Sequence, residues 1–189
     1  LFEFLNAFWA SNKKLERLII NFNDLKKTTN NLDPSKGKLL LFMHTPNLDF
    51  VVRAASLFMP VSGMARPQSN KIVDNLFKAS RKKFTERIFD PKEILELLNY
   101  LKIGKTCLYA PDQDYGYKNS IFVNFFGHKA LTVKFPYIAK RRAKCDVYIF
   151  SLEKKGFKYE ANLEKILLDG TDMEKAVSYT HLTLPTICS

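Results

Sequence analysis

His44 and Asp49, in the segment HTPNLD, are a histidine followed five residues later by a carboxylate, a pairing that can do acid–base chemistry. An imidazole takes and returns a proton near neutral pH, and a carboxylate bonded to one ring nitrogen fixes the tautomer in which the other is basic. On one regular helix, positions i and i+5 lie about 500° apart in rotation, so the two side chains cannot share a helical face. They need a corner, with the histidine at the end of a strand and the aspartate one turn into the helix that follows. The same spacing also arises by chance, and a lone histidine more often makes structural hydrogen bonds.

The flanking sequence supplies such a corner. The apolar run 39–43 reads as a buried strand, and Thr45 and Pro46 read as the N-cap and first residue of a helix over about 46–58. Beyond it, 61–65 reads as a second strand and 70–83 as a basic helix. Asp90-Pro91 opens a helix with Ile94, Leu97, Leu98 and Leu101 on one face, which Gly104 ends. A strand over 106–110, the polar loop PDQDYGYKNS, an aromatic strand over 121–126, a helix over about 131–142 and a strand over 147–152 complete the series. Upstream, Phe4, Phe8, Leu15, Leu18, Ile19 and Phe22 recur at helical spacing between polar residues. Alternating strands and helices predict an α/β fold, a mostly parallel central sheet flanked by helices.

Composition bounds the function. With 189 residues, 46% of them hydrophobic, the chain can build one globular core, and disordered or collagen-like classes are excluded. A formal net charge of +11 points to an anionic partner: nucleic acid, a phosphorylated lipid, a membrane surface or an acidic protein. Cys107, Cys145 and Cys188 are too few and too irregular for a disulfide framework or a zinc site, which fits a reducing compartment. No apolar run reaches the length of a membrane-spanning helix. The chain starts at Leu1 without a signal-peptide pattern, so an upstream continuation is expected. Residues 177–186, VSYTHLTLPT, read as a translated sequencing adaptor, leaving 1–176 as a single domain, a fragment, and 177–189 as an artefactual tail that removes His181 and Cys188 from consideration.

HTPNLD resembles the histidine-acid motif, H-x4-D/E, of glycerophospholipid and lipid A acyltransferases, and three later segments resemble the lipid A branch in order and spacing: ARPQSN at 65–70, LYAPDQDYG at 108–116 and SIFVNFFGHKALT at 120–132. The resemblance is to the bacterial lipid A late acyltransferases, within a glycerolipid acyltransferase-like fold, and covers about residues 38–150. It implies transfer of a fatty acyl chain from acyl carrier protein to a hydroxyl of a lipid A precursor at the cytoplasmic face of the inner membrane. No acyl-enzyme and no cofactor are implied, acyl carrier protein being the co-substrate carrier. Carried across position by position, His44 becomes the general base, Asp49 its partner, Arg66 a group that binds an anion or the developing oxyanion, and Asp112 a substrate-binding site residue with Asp114 and Tyr115 as neighbours. The chain departs from the family in having Asp49 where many lipid A enzymes have Glu and KALTVK where AATT is usual, and the family's N-terminal membrane anchor is expected to be missing from this fragment. A lysophospholipid or glycerol-phosphate acyltransferase, and a non-catalytic membrane- or carrier-binding module, remain as alternatives.

Each of these residues also has an ordinary reading. Arg66 before Pro67 can be a solvated strand-end arginine, and Asp112 and Asp114 can make an Asx turn, although two carboxylates without a third ligand argue against a metal site. Gly116 reads as a backbone device, and His128, with no acid at matching spacing, as structural. Lys78, Arg81, Lys82, Lys83 and Arg87, and later Lys140, Arg141, Arg142 and Lys144, form runs that by default are solvated faces, yet suit phosphorylated lipid or acidic carrier protein. Nucleic acid is not expected: zinc-finger, helix-turn-helix and RNA-recognition signatures are lacking, and the aromatics sit in apolar runs.

Overall fold

Three short apolar runs, each with neighbours that cover both of its faces, build the centre of the molecule. The computed structural model describes residues 2–112, 116–125 and 128–166. Its strands are β1 (Lys38–Leu41), β2 (Ser62–Met64), β3 (Ile88–Phe89), β4 (Thr106–Tyr109), β5 (Ser120–Phe125), β6 (His128–Val133), β7 (Asp146–Lys155) and β8 (Lys158–Ile166). Its helices are α1 (Phe2–Trp9), α2 (Asn12–Leu18), α3 (Phe22–Asn30), α4 (Leu48–Phe58), α5 (Lys71–Arg81), α6 (Ile94–Lys102) and α7 (Phe135–Ala143). A six-stranded sheet runs β3-β2-β4-β1-β7-β8, parallel except where β8 folds back on β7, and β5 and β6 pair separately as an antiparallel hairpin. This is the expected α/β class with a mostly parallel sheet.

Along a strand successive side chains point to opposite faces, so a sheet covered on both sides needs apolar residues at every position. Leu39 and Leu41, Cys107 and Tyr109, and Val147 and Ile149 enter a core with α6 and α7 on one face. Leu40 and Phe42, Leu108 and Ala110, and Tyr148 and Phe150 enter a second core with α4 and the N-terminal helices on the other. Burial pushes the thiol of Cys107 well up and that of Cys145 to about 11, so both behave as small core residues rather than nucleophiles.

Several elements differ from the sequence reading. The N-terminal periodicity is divided into α1, α2 and α3, because Ser11 caps Lys14 N and Ile19 takes extended backbone, its neighbour Ile20 donating to Tyr159 O at 2.8 Å. α4 begins at Leu48 rather than Pro46, after a turn closed by Leu48 N to Thr45 O at 3.0 Å, and its N-cap is Asn47. Residues 131–133 belong to β6, not to a helix; α7 starts at Phe135, where Pro136 suits the first turn. The short β3 and the whole of β8 were not anticipated. The 177–189 tail lies outside the described residues.

Candidate functional site

His44 owes its position to the end of β1, and its partner to the register of the sheet. β1 and β4 pair in parallel with Leu41 opposite Tyr109. Phe42 N continues the ladder to Tyr109 O at 3.3 Å. Counting equally beyond that last pair, His44 falls beside Asp112, both past the carboxyl ends of their strands, where open α/β sheets gather ligands. Asp112 grips its neighbour twice: Oδ2 accepts the backbone N–H of His44 at 2.7 Å, and Oδ1 lies 2.6 Å from the imidazole Nδ1. A carboxylate there holds the proton on Nδ1 and makes Nε2 the basic nitrogen. The two side chains are 37% and 21% exposed, so the pair sits at a surface opening rather than in the core. Phe42 stands under it, its ring centroid 6.4 Å from that of His44.

Asp49, expected as the carboxylate partner of His44, has a different one. Its Oδ1 accepts from Nε of Arg81 at 2.7 Å. Asp49 lies in the first turn of α4, where a negative charge suits the macrodipole, and its carboxylate is bonded to the last turn of α5. Arg81, at the last turn of α5, also lies over the Phe77 ring with its Cζ 5.1 Å from the centroid. Held at Nε and stacked on an aromatic face, the guanidinium keeps a defined plane.

Both arginines open onto the same cleft as His44. Arg66 follows β2 by two residues, and β2 pairs with β4 through Gly63 opposite Leu108, which brings 66 to the same edge of the sheet. Ala65 N donates to Phe89 O at 3.1 Å, carrying the ladder to the residue before it. A cavity of about 250 Å³ is lined by His44, Arg66, Gln68 and Arg81 at its polar side and by apolar residues such as Met64 and Leu108 at its floor. Such a cleft combines an imidazole, two cations, of which Arg81 is held in place by Asp49, and an apolar wall that suits a hydrocarbon chain. The back of β2 is braced by Ser62 Oγ donating to Tyr100 Oη at 2.8 Å and Tyr100 Oη donating to Glu86 at 2.6 Å. Burial, then the Glu86 carboxylate, pushes the Tyr100 phenol up to about 12.

Asp114 and Tyr115 lie outside the described residues. Gly116 has φ +75°, a conformation that favours glycine, and precedes the 3-10 turn Tyr117–Asn119 that leads to β5. Among the described residues no cluster of three metal-ligating side chains occurs and no helix is long and apolar enough to cross a membrane. Sequence reasoning did not single out Arg81, which appeared only within a charge run. The contact between His44 and Asp112 was also missed, although it follows from equal offsets beyond the two strands once β1 and β4 are known to pair.

Comparison with known proteins bears on this geometry. Residues 1–166 match the model of the family described as bacterial lipid A biosynthesis acyltransferase. A Haemophilus influenzae lipid A biosynthesis acyltransferase is 34% identical over 90 residues, covering 48% of this chain and 29% of that protein. The Escherichia coli lipid A biosynthesis lauroyltransferase is 33% identical over 91 residues, 48% of this chain and 30% of the relative. The palmitoleoyltransferase of the same organism is 27% identical over 92 residues, 49% and 30%. The matched segments thus span under a third of the length of these relatives. With the family model matching from the first helix through β8, the chain belongs to the bacterial lipid A biosynthesis acyltransferase family.

Proposed function

We propose that the protein transfers a fatty acyl chain from an acyl carrier protein thioester to a hydroxyl of a lipid A precursor, working at the cytoplasmic face of the inner membrane. The observation that carries the reading is the His44–Asp112 pair at the mouth of a cleft that also holds Arg66 and Arg81. In this mechanism Nε2 of His44 removes the proton from the acceptor hydroxyl as its oxygen attacks the thioester carbonyl. The carbonyl electrons move onto oxygen, and their return breaks the carbon–sulfur bond. The departing thiolate takes the proton back from the imidazolium, giving an ester and a free carrier thiol, with no acyl-enzyme. Asp112 supports the positive imidazole during the step. Asp49 acts one residue removed, by holding Arg81 in plane. Arg66 stabilises an anionic group of the substrate or the developing oxyanion, and Asp114 and Tyr115 contribute to the substrate-binding loop. No cofactor is required.

The test is an assay of the protein with acyl carrier protein thioesters of several chain lengths and a phosphorylated lipid A precursor. Ester formation that falls by about 10² to 10⁴ in His44→Ala, with an unchanged thermal melt, is the expected result. Undiminished turnover in that variant removes the general base from the mechanism. Transfer to lysophospholipid or glycerol phosphate in preference to the lipid A precursor reassigns the acceptor, and the absence of transfer to any of them leaves a binding module.

A further inference from the structure

Helix α5 carries an apolar stripe that the fold leaves uncovered. None of its residues is buried; Ile72 is 81% exposed and Leu76 60%, with Val73 also open. At helical rotation 72, 73 and 76 fall within an arc of about 100°. Helix α1 repeats the pattern: Phe2, Leu5 and Trp9, at i, i+3 and i+7, are all exposed, Trp9 at 65%. The two helices touch through the edge-on rings of Phe8 and Phe77, whose centroids are 5.8 Å apart. Exposed apolar residues scattered singly are ordinary on a protein surface, but large ones gathered in stripes on two touching helices mark an interaction face.

The charges beside the stripes say what covers it. Between residues 71 and 83 stand Lys71, Lys78, Lys82 and Lys83, with Arg81 held in the cleft by Asp49 and the acid Asp74 paired with Lys78 at 2.7 Å. Lys13 and Lys14 follow α1 and are exposed. Apolar stripes flanked by lysines are the composition of an interfacial helix, which sinks its apolar side into the headgroup–acyl boundary while the cations meet anionic headgroups. An anionic bilayer meets both features at once, the lysines at its headgroups and Ile72, Leu76 and Trp9 at its acyl boundary. We propose that the α1 and α5 faces together dock the protein on an anionic bilayer, with Trp9, Ile72 and Leu76 at the headgroup–acyl boundary. Residues 66–81 run from the rim of the catalytic cleft through this same helix, so docking sets the mouth of the cleft beside the membrane plane, where a lipid-borne acceptor arrives. That consequence rests on the acyltransferase reading; the docking itself does not.

Trp9 is the sole tryptophan of the chain, so its fluorescence reports this face alone. The protein is mixed with phosphatidylcholine vesicles, with vesicles containing phosphatidylglycerol, and with the same lipids carrying brominated acyl chains. A blue shift with the anionic vesicles and quenching by bromine are expected, both reduced at high salt. Ile72→Asp with Leu76→Asp should weaken vesicle binding by about tenfold or more while leaving circular dichroism and the thermal melt unchanged, since each loses apolar surface that only the membrane buries. Lys82→Glu with Lys83→Glu should weaken binding to anionic vesicles only. Absence of bromine quenching in the parent protein overturns the proposal, whatever the variants do. A blue shift that grows with protein concentration without vesicles assigns the face to a second copy. One produced by acyl carrier protein and not by vesicles assigns it to the carrier. Because no acyl transfer is measured, failure here is distinct from failure of the acyltransferase reading.

Discussion

Replacing Asp112 by Asn tests which carboxylate orients the His44 imidazole in the proposed mechanism. The carboxylate accepts from both His44 N, at 2.7 Å, and Nδ1, at 2.6 Å. Asn has one acceptor oxygen. If it keeps the backbone N–H, its amide NH₂ faces Nδ1, which must then accept, so the ring proton moves to Nε2 and the base is blocked. Restoring the working tautomer means giving up a hydrogen bond, and bonds to charged groups are worth about 1.5–3 kcal/mol, or roughly 10- to 150-fold. Loss of the negative charge beside the imidazolium adds to this. A ceiling exists too, because the variant cannot lose more than general-base catalysis supplies, about 10² to 10⁴. Water reaches side chains that are 37% and 21% exposed and replaces part of what is lost, which places the expected fall in kcat at about 10² to 10³.

Release of the carrier thiol, followed with a thiol reagent at saturating acceptor, gives kcat for the parent, Asp112→Asn and Asp49→Asn, and a thermal melt of each separates chemistry from folding. Because the Asp49 carboxylate is bonded to Arg81, Asp49→Asn should raise the acceptor KM more than it lowers kcat. The reverse order refutes the reasoning: Asp112→Asn within about threefold of the parent while Asp49→Asn loses the base's whole contribution makes Asp49 the orienting group.

Three further outcomes follow from the same structure. Arg81→Ala should raise the KM for a phosphorylated acceptor by about tenfold or more with a smaller change in kcat, and Arg81→Lys should recover only part, because a point charge cannot be held in plane by Asp49 and Phe77; steady-state kinetics against phosphorylated and dephosphorylated acceptors decide it. Tyr100 has its phenol pushed up from 10.0 to about 12, so its contribution to stability is complete below pH 10 and is lost as pH rises towards 12; urea unfolding across that range should show a slope that Tyr100→Phe reduces. Gly104 sits at φ +83° with a built Cβ only 2.5 Å from Pro34 O, so Gly104→Ala should cost about 1–3 kcal/mol, read as a lower urea midpoint at unchanged m-value.

The elements that were legible in the sequence are those with continuous apolar runs or strong punctuation. β1, β4 and the first half of β7 are covered on both faces and therefore apolar throughout. α6 is announced by Asp90-Pro91, which opens the 3-10 turn leading into it, and closed by Gly104. β8 was hidden because KYEANLEKI carries charges along its length; its place is settled by pairing with β7 from Val147–Ile166 to Lys155–Lys158, a tertiary fact. β6 was read as the start of a helix since Leu131 and Val133 precede Pro136 without a turn signal, and only the partner strand β5 makes them extended. The break between α1 and α2 depends on Ser11 capping Lys14 N, which a periodicity count passes over.

The site divides along the same line. A local motif can only pair residues that are near in sequence, and His44 with Asp49 was the one pair on offer. In a parallel sheet, however, neighbours across strands are set by register, and residues at equal distance past the last paired positions emerge side by side however far apart they lie in the chain. Leu41 opposite Tyr109 makes His44 and Asp112 such neighbours across 68 residues. Asp49, in the first turn of α4, is bonded to Arg81, so in the proposed mechanism one carboxylate orients the base while the other fixes a cation lining the cleft. Two acids of the same type thus acquire separate tasks from the element that carries each, a strand end in one case and a helix N-terminus in the other. For this reason the Asp112 and Asp49 substitutions should separate into kcat and KM effects, whereas two acids sharing one imidazole would fail together.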